Sequence, residues 1–112
     1  VLERDQAMEY AGEDEEMLFM NLSFFCENAE TLDGELYADY EAKDFENYSI
    51  HAHALKSNAA TIGAVELSAM AKELEFAGKE KEYGKILEKH AKLIETYRSL
   101  VRYLQEHGVG QI

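Results

Sequence analysis

Apolar residues recur along this chain in alternating steps of four and three, the period of a helix seen from one side. The longest run is Leu18, Leu22, Phe25, Ala29, Leu32 and Leu36, within a segment from about Asp14 to Ala42. A second run starts near Asp44 and carries Phe45, Tyr48, Ala52, Leu55, Ala59 and Ile62. A third, from about Ala64 to Ala77, presents Leu67, Met70, Ala71 and Leu74. The last spans about Glu80 to His107 and reads Tyr83, Leu87, His90, Ile94, Tyr97, Val101 and Leu104. A shorter helix is expected over roughly Asp5 to Ala11, with Asp5 as its N-cap and Gly12 as its stop. Gly63 ends or bends the run that starts near Asp44, and Gly78 stops the run from Ala64 to Ala77. Gly34 interrupts the longest run at a cost of about 1 kcal/mol relative to alanine.

No segment alternates as a half-buried strand does. Four substantial amphipathic helices with short connections predict an all-α fold, an antiparallel up-and-down four-helix bundle. The additional short N-terminal helix is expected to pack across one end.

Composition narrows this further. At 112 residues the chain suits one domain, and its 46% hydrophobic and 30% charged residues describe a folded chain. It has no proline to break long helices. The formal charge is −12, which repels phosphodiester backbones and anionic lipid and favours a protein partner with a basic or apolar patch. Neither a signal peptide nor an apolar run long enough to span a bilayer is visible. Cys26 is the only cysteine, so neither an intrachain disulfide nor a cysteine metal cluster can form. This usage fits a cytoplasmic setting.

Helical geometry separates the histidines. At about 100° per residue, His53 falls roughly 130° from the centre of its helix's apolar stripe and should face solvent. Ser49, Ser57 and Ala60, at four before, four after and seven after, are expected on the same exposed strip. All are small, and Lys56 lies between His53 and the stripe. An imidazole in a clearing beside one cation suits phosphoryl transfer, because a neutral ring is a nucleophile and positioning with charge neutralisation does most of that catalysis. By geometry alone, a solvated surface histidine reads the same way.

The segment His53-Ala54-Leu55-Lys56-Ser57-Asn58-Ala59-Ala60-Thr61-Ile62-Gly63-Ala64 adds a second line. It resembles the phosphorylation motif of histidine-containing phosphotransfer (HPt) domains of bacterial two-component phosphorelays. The shared features are an apolar residue two after the histidine, a lysine three after, a small residue four after and a glycine ten after. Many members have glycine where this chain has Ser57.

The resemblance implies that His53 is phosphorylated on its outer ring nitrogen and that Lys56 stabilises the phosphoryl group. Ser57 would keep the site open and Gly63 would permit close packing at the helix end. Partners would be response-regulator receiver domains, whose aspartates donate and accept the group and which supply magnesium. This chain would need no cofactor and would be a phosphocarrier, not an enzyme. It would be a monomer, either free-standing or part of a larger signalling protein such as a hybrid sensor kinase. A chemotaxis-kinase phosphotransfer domain is a related possibility, and a scaffold bundle that kept the fold without the chemistry is the alternative reading.

Met17, Met20, Asn21 and Phe24 form a second, partly apolar strip that either docks a receiver or is buried on a wide helix face. His51 is expected to be structural, since its two-residue separation from His53 cannot chelate one metal from a regular helix. His90 falls on an apolar stripe, as a buried, hydrogen-bonded core histidine would; His107 lies near a chain end. No Glu-x-x-His pair supports a bundle metal site. Cys26 reads as a buried, inert thiol. The acidic run Glu13 to Glu16 favours a helix start through the dipole. No Walker-type nucleotide loop is present, and there is no room for a kinase ATP-binding domain besides the bundle.

Overall fold

A computed structural model describes residues 2–107. The chain forms α1 (Arg4–Tyr10), α2 (Glu15–Glu41), α3 (Phe45–Thr61), α4 (Val65–Lys79) and α5 (Tyr83–His107), with no strand among the described residues. The four long helices run up and down. Each packs on the next, α3 most extensively on α4, and α5 closes back onto α2. Helix α1 lies against α2 and α3.

Local chemistry sets the starts. The Asp14 carboxylate accepts from the Glu16 and Met17 amides at 2.9 and 3.4 Å. At α3, Asp44 does the same for Asn47 at 3.2 Å. Each satisfies amides that the first helical turn leaves without partners. The expected cap at Asp5 does not form. Helix α1 begins at Arg4 with Glu3 in the cap position, two residues before Asp5, and no side chain caps it. The backbone supplies the reason: Glu3 N donates to Gly63 O at 2.7 Å, and Glu3 O accepts from Ala7 at 3.1 Å. This tether pins the strand of chain before α1 to the end of α3.

That tether needs glycine at position 63. Gly63 has φ +76°, and a Cβ there would stand 2.1 Å from Glu3 O. Gly63→Ala is therefore expected to cost about 1–2 kcal/mol from the left-handed backbone alone. It should also break the Glu3 contact, and a lowered melting midpoint with faster exchange of the Glu3 and Ala7 amides would report it.

Two other glycines depart from the sequence pattern. Helix α2 runs through Gly34 without a break, held on either side by the fully buried Leu32 and Leu36. Gly78 does not stop α4, which continues to Lys79. A Cβ at Gly78 would lie 2.8 Å from the Ser49 Cβ and 2.9 Å from Phe45 O. Gly78 is thus a point of close approach between α4 and α3. Helix α5 starts at Tyr83, after a turn with Lys81 at φ +60°, and not at Glu80.

The core follows the apolar stripes of α2 and α3, whereas in α5 Tyr83 and Leu87 of the expected stripe are exposed at 38 and 47% and Ile86 and Leu93 are buried instead. Leu22, Phe25, Leu36, Tyr48, Leu55, Leu74, Leu93 and Tyr97 are buried together, and Phe25 meets Tyr97 edge-on at 5.5 Å. His90 is the core histidine that its position on the stripe predicts. Its Nδ1 shares a 2.7 Å hydrogen bond with the Tyr48 hydroxyl, and Tyr40 stacks on its ring at 4.0 Å. Burial pushes the His90 pKa down, which keeps an uncharged ring in the core.

Candidate functional site

His53 stands on the exposed side of α3 with 57% of its side chain open to solvent. The clearing around it is smaller than the spacing predicts. Ser57 is exposed and Ala60 half-buried, but Ser49 is buried at 5% exposure and does not share the strip. The close approach at Gly78 lets α4 cover Ser49, whose Oγ donates to Glu75 O at 2.8 Å. Ser49 therefore joins α3 to α4 underneath the imidazole.

Below His53 lies a residue that the apolar spacing does not flag. Glu75 of α4 is 1% exposed, yet carries a carboxylate. Its Oε2 lies 2.9 Å from His53 Nδ1 and accepts from Lys79 Nζ at 2.8 Å. Lys56 Nζ faces Oε1 at 2.9 Å as an ion pair outside hydrogen-bonding alignment. Burial by itself would raise the Glu75 pKa. The Lys79 and Lys56 ammoniums, with His53, outweigh it and hold the carboxyl down at about 2.

An ionised carboxylate only accepts, so Nδ1 of His53 must be the donor. In the neutral ring the proton then sits on Nδ1, and Nε2 keeps its lone pair. No hydrogen-bond partner among the described residues stands at Nε2. The hub of one carboxylate and two lysines carries a net +1 in a chain of formal charge −12. An incoming anion would meet a local positive field.

Linkage gives Glu75 a pH signature. A carboxylate depressed from its ordinary 4.5 to about 2 contributes stability that is fully present above 4.5 and drains away as pH falls toward 2. The melting midpoint of the wild type is expected to fall more steeply between pH 5 and 3 than that of Glu75→Gln, as followed by circular dichroism.

Met17, Met20 and Phe24 are exposed at 41, 55 and 56%, and Asn21 is half-buried, so the strip on α2 is open surface and not a wide buried face. His51 bridges α3 to α2: its Nδ1 meets Asp39 Oδ2 and its Nε2 lies 3.3 Å from Glu35. His107 Nδ1 meets Tyr103 O at 3.0 Å. Cys26 is half-buried rather than buried; desolvation, then Glu27, raises its pKa and disfavours the reactive thiolate. No helix among the described residues is long and apolar enough to cross a membrane.

Sequence spacing alone missed Glu75 and Lys79. A weak signal existed: Glu75 follows Ala71 by four on the flank of the buried stripe, and Lys79 follows Glu75 by four. Such a pair usually reads as solvated surface charge.

In class, then, the molecule is a helical bundle that offers the bare Nε2 of His53 to the outside from a charged hub between two helices. The family model described as the Hpt domain matches residues 21–106, well over half of the chain, and the chain belongs to the Hpt-domain family. Members are phosphocarrier modules of histidine phosphotransfer, without kinase activity of their own, that interact with receiver domains. No curated protein and no solved structure gives a significant match.

Proposed function

We propose that His53 accepts a phosphoryl group on Nε2 from the phosphorylated aspartate of a receiver domain and passes it to the aspartate of another. The observation that carries this reading is the hold of ionised Glu75 on Nδ1, which leaves the nucleophilic lone pair on the outward nitrogen. Membership of the family supports it.

The transfer balances without an added reagent. The Nε2 lone pair attacks phosphorus, the bond from phosphorus to the aspartyl oxygen breaks, and the aspartate leaves as carboxylate with the electron pair. The ring keeps its Nδ1 proton and becomes cationic, and Glu75 stands against that positive charge. This is the logic by which a buried carboxylate orients and steadies an imidazole in hydrolytic triads. Lys56 and Lys79 face the negative charge of the phosphoryl oxygens, acting as point charges rather than as a bidentate clamp. The reverse sequence returns the group to a second receiver. Magnesium would belong to the receiver's aspartate site.

Ser57 and Ala60 would leave the ring accessible, Ser49 and Gly63 would hold α3 in place, and Met17, Met20, Asn21 and Phe24 would receive the partner. The chain would act as one HPt domain, in the cytoplasm, and as a monomer.

Incubation with a radiolabelled phospho-receiver tests the reading. Rapid appearance of label on this chain, lost in acid and retained in base, is the expected result. Absence of label from a broad panel of receivers would overturn it.

A further inference from the structure

The formal charge of −12 is not spread over the bundle. Residues 1–41, which include α1 and α2, hold 13 of the 23 acidic groups and one of the 11 basic ones. Residues 42–112 hold ten of each and sum to zero. The whole net charge therefore lies in residues 1–41, and most of it on α2, whose eight acidic side chains have no basic one among them.

Helix α2 also carries exposed apolar surface. With about 100° of rotation per residue, Met17 and Phe24 of α2 turn toward the α3 side, with Met20 beside them. Glu16 and Glu27 line the outer border of this strip, and all five residues are exposed. Asn21 and Phe24 share a depression of about 240 Å³ with Asn58 and Thr61 of α3. The outer face of α3 continues from there through Ser57 to His53. A polar surface of Asn58, Thr61 and Ser57 thus joins the apolar strip to His53, and carboxylates border the strip on its far side.

We infer that this strip seats a receiver domain whose docking face has an apolar centre bordered by lysines and arginines, and that the acidic border of α2 selects that partner by charge. The inference rests on the reading of His53 as phosphoryl acceptor. Methionines adapt to varied apolar shapes and discriminate poorly among them. Discrimination then falls to the charges: opposite signs steer encounter and raise association rates 10- to 10³-fold, while like signs suppress the wrong partner. Screening should erase the effect, because the Debye length shrinks to about 3 Å at molar salt.

The test compares initial rates of phosphoryl transfer from a receiver with a basic-bordered docking face and from one with an acidic border. At about 20 mM salt the basic-bordered receiver is expected to be faster by about tenfold or more, and the gap should close at about 0.5 M salt. The Glu16→Lys/Glu27→Lys double variant should lose that advantage. Glu95→Lys/Glu106→Lys, with the same change in net charge on the exposed outer side of α5, should lose less than about twofold. Glu16→Gln/Glu27→Gln gives the same direction at half the charge change, should the reversal unfold α2. Equal losses in both reversals, or rates indifferent to salt, overturn the inference. Phosphoramidate, a donor with no docking face, separates this from the site itself: it should label His53 in every variant. Failure of His53 to take label from phosphoramidate and from all receivers alike removes the reading on which the inference rests.

Discussion

His53→Gln is expected to take no label at all from any phospho-receiver that labels the wild type. Glutamine is close in length and can still donate an amide hydrogen toward Glu75, so the hub should stay filled. What it lacks is a ring nitrogen with an available lone pair, and an amide nitrogen is no substitute as a nucleophile. Because His53 is more than half exposed, the substitution should move stability by less than about 0.5 kcal/mol. Loss of label with an unchanged melting curve is then a chemical result and not a folding one. The other three histidines sharpen it. His90 is buried and His51 has both ring nitrogens against carboxylates, while His107 sits near the end of α5 with Nδ1 on a carbonyl. Acid-labile label persisting on His53→Gln would move the acceptor to another residue, and the reading of the site would fail with it.

The fold was legible because α2 and α3 each bury the stripe that their spacing marks. Leu18 through Leu36 in α2 and Tyr48 through Ile62 in α3 are spaced for a single face, and those residues are the buried ones. Gly34 did not break α2, since two turns of buried leucine around it outweigh a propensity cost of about 1 kcal/mol. Glycines that act between elements were harder to read. Gly78 looks like a helix stop in one dimension and proves to be the contact point of two helices. Asp5 looks like a cap, but Glu3 is already tied to Gly63, a partner sixty residues away.

The position and exposure of His53 were legible from rotation about one helix. Its electrostatics were not, because they come from a second helix. Nothing in the spacing of α3 says that the glutamate of α4 buried most deeply would lie beneath the imidazole. Ser49 was misplaced for the same reason: the rotation of α3 puts it near His53, and only the close approach of α4 shows that it is covered. Helical periodicity fixes which way a side chain points, whereas pairing across helices decides what it meets.

Glu75→Gln should slow transfer to His53 by on the order of 10²-fold while leaving the acceptor in place, a loss typical of removing one preorganised electrostatic partner. On the proposed reading Glu75 performs two tasks at once: it fixes the proton on Nδ1, and it would offset the positive charge that the ring acquires as a bond to phosphorus forms. Glutamine keeps the volume and can still accept through its carbonyl, but it carries no charge, and its amide can turn to donate instead. The tautomer is then no longer imposed. Lys56 and Lys79 would be left as like charges without the anion between them, so some loss of stability is also expected. A purely structural role for Glu75 would lower the melting midpoint and leave the ring of His53 unchanged. The positioning role predicts more: ring ¹⁵N spectra at a pH where His53 is neutral should show a bare Nε2 in the wild type and a mixture of tautomers in Glu75→Gln. If the spectra are identical and transfer is unaffected, Glu75 is only a strut, and the bare nitrogen of His53 owes nothing to α4.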